Sequence, residues 1–428
     1  MGSNIAIIGT GYVGLTTGAC LAHLGHHVVC ADVVPEKVEA LSRGEVPILE
    51  AGLDELVIEG IESGRLSFVL GATNAVADVD FIYLCLPTPQ GADGAADLSF
   101  IQEAAADIGP HLKAGAVVIN KSTVPVGSAN EVAKKLERAD VHVVSNPEFL
   151  REGTAVSDFL HPDRVVIGSD DGVAAQRVAD LYAGLEAPTL ITDPASAETI
   201  KYASNAFLAT KISFVNAMAA VCEAVGADVN DVVAGMGFDK RIGSAFLVPG
   251  PGWGGSCFPK DSHALVRIAE NAGYQFGLLR GVIAVNEEQF GRVAKKIAQA
   301  VGGSVEGKCI AVWGLTFKAR TDDLRDSPAI NIIHRLRELG AQVKAYDPAV
   351  LDGSDSRLAG IEVVTDPYDA VAGADVLAVL TEWDEFKTFD LEQVAGKIGN
   401  KAVVDARNLL DREALKALGF TYDDIGRS

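Results

Sequence analysis

The chemistry most open to reading in this sequence sits on one cysteine inside a glycine- and proline-rich run. Pro249 to Asp261 reads Pro-Gly-Pro-Gly-Trp-Gly-Gly-Ser-Cys-Phe-Pro-Lys-Asp, with four glycines and three prolines around Cys257. Glycine permits backbone conformations and close approaches that other residues forbid, so the run predicts a shaped loop. His263 to Ala272 reads as a helix. That places the thiol near a helix start, where the positive dipole end and the neighbouring Lys260 favour thiolate, the nucleophilic form. The plainer alternative is a tight turn carrying a buried structural cysteine. A second pair, Lys201 and Asn205, lies in Ala197 to Val225, a stretch without glycine or proline that reads as one long helix. Four residues apart, the two side chains share a face. A cation and an amide donor there suit an alkoxide or oxyanion; an exposed surface pair is the alternative.

These groups need a scaffold, and the flanking sequence reads as two nucleotide-shaped halves. Asn4 to Ile8 is an apolar strand, followed by Gly9-Thr10-Gly11-Tyr12-Val13-Gly14, a helix to about Leu24, and a second strand from His27 to Ala31 ending at Asp32. Strand, G-x-G-x-x-G turn, helix and strand, with an acid about twenty residues on, is the arrangement that binds a dinucleotide. Asp32 repels a 2′-phosphate and favours NAD over NADP. Further strands are expected at Phe81–Leu86, Ala116–Asn120 and Val141–Ser145, with a helix at Leu98–Leu112. Thr123, Glu148 and Glu152 follow the carboxyl ends of such strands, where ligands bind in open α/β sheets. Each reads equally as a turn-capping hydroxyl or a solvated acid.

From Gly307 the pattern repeats. Strands are expected at Cys309–Trp313, Gln342–Tyr346, Ala374–Leu380 and Lys401–Asp405, and a helix at Pro328–Leu339. The first turn lacks G-x-G-x-x-G but carries Lys318, Arg320 and Arg325. Arg241, in a glycine-bearing loop, suits phosphate or sugar recognition or a structural ion pair. With 36 Lys and Arg against 58 Asp and Glu, the net charge is −22. That balance disfavours nucleic acid and anionic membrane surfaces as partners, and an anionic ligand requires local clusters of positive charge. The six cysteines lie far apart with no C-x-x-C pair, which fits a reducing cytoplasm. The eight histidines show no H-E-x-x-H spacing, so no metal is indicated. The N-terminus lacks signal-peptide features, and no uninterrupted apolar run spans a bilayer. The expected fold is α/β: two Rossmann-like doubly wound domains, residues 1–195 and 306–428, joined by a helical middle domain, 196–305, with a long central helix.

Eight ordered blocks, GTGYVG, KSTVPVG, NPEFLREG, KYASNAFLATKISF, GGSCFPKD, TFKARTDDLRDSP, TEW and DARN, run from residue 4 to about residue 408. The series resembles the UDP-glucose/GDP-mannose dehydrogenase family, most nearly its UDP-glucose branch. The resemblance implies a four-electron, two-NAD oxidation of a nucleotide-sugar primary alcohol to a carboxylate. Cys257 is implied to carry a thiohemiacetal and then a thioester. Lys201 and Asn205 match residues that stabilise oxyanions, Asp261 and Thr123 residues that hold water or assist proton transfer, and Glu148 the base in hydrolysis. Gly9, Gly11, Tyr12, Val13, Gly14, Asp32, Lys37, Thr88, Thr123, Glu152 and Arg325 match positions around the cofactor. Around the nucleotide sugar the resemblance places Glu148, Phe149, Leu150, Glu152, Lys201 and Asn205 from the first half. From the rest come Arg241, Phe246, Gly254, Phe258, Phe317, Lys318, Arg320 and Arg407, with Arg241 supplied across a subunit interface. A homodimer or higher homo-oligomer is implied.

Departures from the family pattern are Ala217 where glutamate is expected, Trp253 for Phe or Tyr, Asp326 for glutamate and Ala51 for proline. Trp253 stands beside the cysteine loop and bears on sugar fit. The rival readings are the same chemistry on GDP-mannose or a UDP-N-acetylhexosamine, a two-electron hydroxyacid dehydrogenase, and a catalytically silent nucleotide-sugar sensor.

Overall fold

A computed structural model describes residues 2–89, 91 and 96–427. The chain divides into two compact units, Met1–Ser204 with His263–Tyr274, and Asn205–Ser262 with Gln275–Ser428. The first is built on eight strands: β1 (Asn4–Ile8), β2 (His27–Asp32), β3 (Leu66–Leu70), β4 (Phe81–Leu84), β5 (Val117–Asn120), β6 (His142–Ser145), β7 (Val165–Gly168) and β8 (Thr189–Thr192). Their order is β3-β2-β1-β4-β5-β6-β7-β8. Pairing is parallel except at β6–β7, which meet antiparallel at Ser145 and Gly168. The first six strands have the doubly wound order, whose switch point falls between β1 and β4.

Strand β1 shows why the sheet is covered on both faces. Ile5 and Ile7 enter one apolar cluster and Ala6 and Ile8 another, as the period of two requires. Burying one such isoleucine stabilises the fold by roughly 1.5–3 kcal/mol.

The second unit carries β9 (Cys309–Trp313), β10 (Gln342–Tyr346), β11 (Glu362–Val363), β12 (Val376–Val379), β13 (Ala402–Asp405) and β14 (Thr421–Asp424). Their order, β11-β10-β9-β12-β13-β14, repeats the doubly wound scheme, and every pairing is parallel. On β9, Ile310 and Val312 face one core while Ala311 and Trp313 face the other. The helix Gly277–Ala300 buries Phe290, Val293 and Ile297 in the same core as Ile310 and Val312.

The second half retains the frame of a dinucleotide turn with its ligand-facing acid turned inward. Gly9 (φ +94°) and Gly314 (φ +97°) occupy matching positions after β1 and β9. Each amide bonds across to the neighbouring strand, Gly9 to the Ala31 carbonyl and Gly314 to the Tyr346 carbonyl, both at 2.8 Å. The next residues are Asp32 and Asp347. Asp347 is fully enclosed and accepts from the Leu315 amide, the Thr316 amide and hydroxyl, and the Trp383 indole. Burial is the largest influence on its carboxyl and raises the pKa, against the lowering effect of those amides.

Two helices pass between the units. Pro194–Val225 crosses at residue 204–205, and Phe258–Asn271 at 262–263. The first begins at Pro194, three residues before the sequence reading, because proline fits the first helical turn. Among the described residues it is the one helix long and apolar enough, by length and composition, to cross a bilayer. It nonetheless buries Glu198, Lys201 and Asn205 in polar partnerships, which marks it as a core helix of this fold. The cysteine-loop helix starts at Phe258 rather than His263.

Candidate active site

In the first unit, the turn after β1 is tightly packed at two of its glycines and open at the third. A Cβ on Gly9 would stand 2.5 Å from the Cys85 carbonyl oxygen and one on Gly14 would overlap the Gly9 carbonyl, whereas nothing lies within 4 Å of one on Gly11. That is the division of labour a pyrophosphate demands, and Val13 lies on the first turn of the following helix. Asp32 Oδ2 accepts from the Thr10 amide and the Lys37 ammonium, both at 3.1 Å. Burial works against ionisation of Asp32, but the Thr10 hydroxyl, Lys37 and the Thr10 amide outweigh it and hold the carboxyl at about 2. Lys37 therefore offsets part of the charge that Asp32 presents. A dinucleotide fits this cradle: an open glycine position at Gly11 for the diphosphate and an ionised acid, Asp32, for the ribose.

The carboxyl ends of β4, β5 and β6 assemble the next layer. Thr88 donates from its hydroxyl to the Thr123 carbonyl at 3.0 Å. Lys201 donates to Glu148 Oε1 at 2.8 Å, with both side chains buried, and Glu148 Oε2 accepts the Leu150 amide at 2.6 Å. Two links therefore hold this layer, Thr88 to Thr123 and Lys201 through Glu148 to Leu150, with Glu152 half-buried two residues beyond Leu150. Phe149 lies under the Arg164 guanidinium at 3.6 Å and 5.4 Å from the Lys201 ammonium. A pocket of about 10 Å³, room for one water, is lined by Thr123, Lys201, Asn120, Ser145 and Glu198 among others. Glu198 takes the Gly127 and Ala129 amides and the Ser145 hydroxyl; burial, the largest influence, raises its carboxyl pKa.

In the second unit, Asp261 is fully buried and holds two partners. Asn205 Nδ2 donates to Oδ2 and the Lys260 ammonium to Oδ1, each at 2.6 Å. Lys260 is thus committed to Asp261. Cys257, half-exposed, immediately precedes the helix. Its carbonyl accepts the Asp261 amide at 2.9 Å, and Ser256 Oγ is 3.6 Å from its sulfur. A thiol at a helix N-terminus gains from the dipole.

The glycines of this loop answer to close packing. A Cβ on Gly254 would overlap the Asp326 carbonyl, and one on Gly255 (φ +79°) would come 2.7 Å from the Phe317 ring. The Gly255 amide donates to the Arg325 carbonyl at 3.1 Å. The loop is thereby seated on the Phe317–Asp326 segment. Phe258 packs at 6.4 Å from both Phe246 (φ +63°) and Trp253. Arg407 donates to the Leu380 and Phe317 carbonyls and pairs with Glu382, and the Lys318 ammonium lies 5.3 Å from the Phe317 ring centroid.

Three expected cations are less gathered. Arg320 (φ +67°) is exposed and paired with Asp384, and Arg325 makes a two-pronged pair with Asp323. Arg241, its side chain 88% exposed, grips Asp239 two residues back. None of the other candidate residues is among its hydrogen-bond partners. The sequence reading missed Glu50, Arg164 and Glu198; their partners are too far away in the chain for spacing to reveal them.

Comparison with known proteins agrees across the whole length. Residues 3–186 match the NAD binding domain of the UDP-glucose/GDP-mannose dehydrogenase family, 195–288 its central domain and 311–412 its UDP binding domain. A UDP-glucose 6-dehydrogenase of Rhizobium meliloti (strain 1021) is 46% identical over 433 residues, covering 99% of each chain. The structure of a UDP-glucose dehydrogenase from the hyperthermophilic archaeon Pyrobaculum islandicum is similar at TM-score 0.91 and 36% identity, over 100% of this chain and 98% of that one. A UDP-D-ManNAc dehydrogenase from Pyrococcus horikoshii gives 0.88 and 28%, over 99% of each. The cofactor is NAD, in accord with the Gly9–Gly14 turn and Asp32. With all three of its domains matched in order, the chain belongs to the UDP-glucose/GDP-mannose dehydrogenase family.

Proposed function

We propose that this protein oxidises UDP-glucose to UDP-glucuronate in two NAD-dependent steps through a covalent adduct on Cys257. The observation that carries the reading is the Cys257–Asp261 turn: a half-exposed thiol at a helix N-terminus, followed one turn later by a buried carboxylate bonded to Asn205. NAD, when bound, supplies a two-electron acceptor for each oxidation. The first oxidation leaves an aldehyde at the sugar C6. The Cys257 thiolate adds to that carbon, forming a C–S bond, and the carbonyl oxygen becomes the thiohemiacetal hydroxyl on taking a proton. Oxidation of this adduct gives a thioester. Water then breaks the C–S bond, the acid leaves and the thiol is restored. Covalent capture retains the aldehyde between the two oxidations.

Lys201 and Asn205 donate to the oxyanions formed at these stages. Thr123 and Asp261 position water and move protons, and Glu148 serves as base in thioester hydrolysis. Phe149, Leu150, Glu152, Phe246, Gly254, Phe258, Phe317, Lys318, Arg320 and Arg407 surround the nucleotide sugar, with Arg241 donated by a neighbouring copy. Gly9, Gly11, Tyr12, Val13, Gly14, Asp32, Lys37, Thr88, Thr123, Glu152 and Arg325 surround the cofactor. The working segments are 1–195, 196–305 and 306–428, in a cytoplasmic homodimer or larger homo-oligomer.

The second reading, the same chemistry on a UDP-N-acetylhexosamine, is supported by the likeness to the Pyrococcus horikoshii protein. NADH formed per sugar, measured with UDP-glucose, UDP-galactose, GDP-mannose and UDP-N-acetylmannosamine, separates the two. Two NADH per UDP-glucose are expected, and no turnover of UDP-glucose ends the reading. Cys257→Ala is expected to abolish acid formation while nucleotide-sugar binding persists; full activity refutes the covalent route.

A further inference from the structure

Glu50 is a buried acid that none of the roles above uses. It lies ahead of the helix Leu53–Glu62 and is 5% exposed. Its Oε2 takes two hydrogen bonds from distant parts of the chain, the Tyr12 hydroxyl at 2.5 Å and the Gly153 amide at 2.7 Å. Tyr12 stands inside the Gly9–Gly14 dinucleotide turn. Gly153 (φ +82°) ends the 148–153 loop, which carries Glu148, Phe149, Leu150 and Glu152. The Tyr12 hydroxyl also lies 2.8 Å from the Arg151 carbonyl, so its single hydrogen is shared between that oxygen and Glu50, and the tyrosine meets the loop directly as well as through the carboxylate. Glu50 Oε1 is buried without a hydrogen-bond partner among the described residues. Leaving a carboxylate oxygen dry and unpaired is costly, and a neutral apolar residue would spare the fold that cost. Burial, and next the Glu50 hydrogen bond, push the Tyr12 hydroxyl well above its ordinary range, so it remains a donor.

We propose that Glu50 is a positioning residue that ties the dinucleotide turn to the 148–153 loop, so that one carboxylate sets the geometry of the cofactor site and the reacting-sugar site together. The proposal rests on the NAD and nucleotide-sugar assignments above. It requires an acceptor at the position of Oε2, and it does not require the negative charge. Aspartate keeps the charge but withdraws the acceptor by about one carbon–carbon bond; glutamine keeps the acceptor and drops the charge.

The test measures NADH affinity by fluorescence titration, and kcat and KM with UDP-glucose, for Glu50→Asp and Glu50→Gln. Glu50→Asp is expected to weaken NADH binding about tenfold and to lower kcat at saturating NAD at least tenfold, while Glu50→Gln stays within threefold on both. Wild-type values for Glu50→Asp in both measurements overturn the proposal. So does a Glu50→Gln as impaired as Glu50→Asp, which assigns the effect to charge. Glu50→Asp/Tyr12→Phe is expected to bind NADH no more weakly than the weaker single variant; effects that multiply overturn the shared tie. NADH titration needs no sugar. An incorrect sugar assignment therefore shows as absent turnover in the wild type, with the binding comparison still decisive.

Discussion

Lys201 and Glu148 form a buried ion pair at 2.8 Å, linking the long helix to the loop after β6. Removing one member of such a pair strands the other charge away from water, at a cost of about 3–5 kcal/mol. Lys201→Met and Glu148→Gln are each expected to lose stability on that scale, read from urea unfolding midpoints. The double variant is expected to be less destabilised than the two single losses added together, because neither charge remains. Additive losses would show that the pair is not the stabilising unit.

Asp261 collects Asn205 and Lys260 at 2.6 Å each, and this sets its expected behaviour. Asp261→Asn removes the acid/base function while keeping the shape. If the proposed proton-transfer role is correct, kcat falls by roughly 10²–10⁴ with KM for the nucleotide sugar changed far less. Lys260→Met is expected to act more weakly, since its ammonium engages the acid rather than the reacting sugar. Steady-state kinetics of the two variants checks the ranking, and a Lys260→Met defect larger than that of Asp261→Asn reverses it.

The central strands of both sheets were legible in the sequence because they are continuous apolar runs ending in glycine or polar turns, whereas β3, β7, β8, β11 and β14, toward the sheet edges, were not read from it. Asn4–Ile8, Cys309–Trp313 and Gln342–Tyr346 appear as expected. The start of the cysteine-loop helix was not legible. Pro259 and the preceding glycines signal a loop, yet proline is tolerated in a first helical turn, so the helix begins at Phe258. Helix Gly277–Ala300 escaped notice because Gly277, Gly281 and Gly291 interrupt its period. The site divides the same way. Motif spacing singled out Lys201, Asn205, Cys257 and Asp32. Their partners do not follow from spacing, as Lys201 and Glu148 lie 53 residues apart. Glu50 and Gly153, 103 apart, form a link of the same kind.

Trp253 was expected to bear on sugar fit, and its surroundings define how. Its indole donates to Ser213 Oγ at 2.9 Å, and its backbone is clasped at both ends by the Asn286 amide. The ring is buried and meets the Phe258 ring edge-to-face, so it bears on the residue after Cys257. Ser213→Ala leaves the indole N–H buried and unpaired, a loss of about 1–3 kcal/mol. Trp253→Phe opens a cavity and is expected to cost a similar amount. A double-mutant cycle by urea denaturation should show a coupling of roughly 0.5–3 kcal/mol; zero coupling removes the hydrogen bond from the account.

Asp32 gives a pH test whose sign follows from its hydrogen bonds. Its folded pKa is about 2 against an ordinary 3.8. A depressed carboxyl contributes stability that is fully present above the unfolded value and is lost as pH falls through the folded one. Asp32→Asn is expected to be less stable than wild type near neutrality by roughly 1 kcal/mol, a figure discounted for partial exposure. The gap should narrow as pH falls from about 4 and close near 2. Denaturation midpoints across that range check it, and a gap that widens toward low pH contradicts the assignment.

The long helix makes the assembly state testable. Phe207, Phe214, Val221 and Val225 are exposed, and their spacings of seven, seven and four keep them on one stripe of the helix. Phe238, on the residue after the helix Val229–Gly237, is likewise exposed. A contiguous apolar stripe is costly to leave in water, and the proposed homodimer would cover it with a second copy. Sedimentation of the wild type is expected to give a mass of at least twice 44.7 kDa. Phe207→Glu/Phe214→Glu places like charges on the stripe and should shift the protein toward the monomer mass. Activity is expected to fall with it, because Arg241, paired here with Asp239, is assigned to the neighbouring copy's nucleotide sugar. A wild type that sediments as a monomer and still turns over UDP-glucose would place Arg241 outside the site.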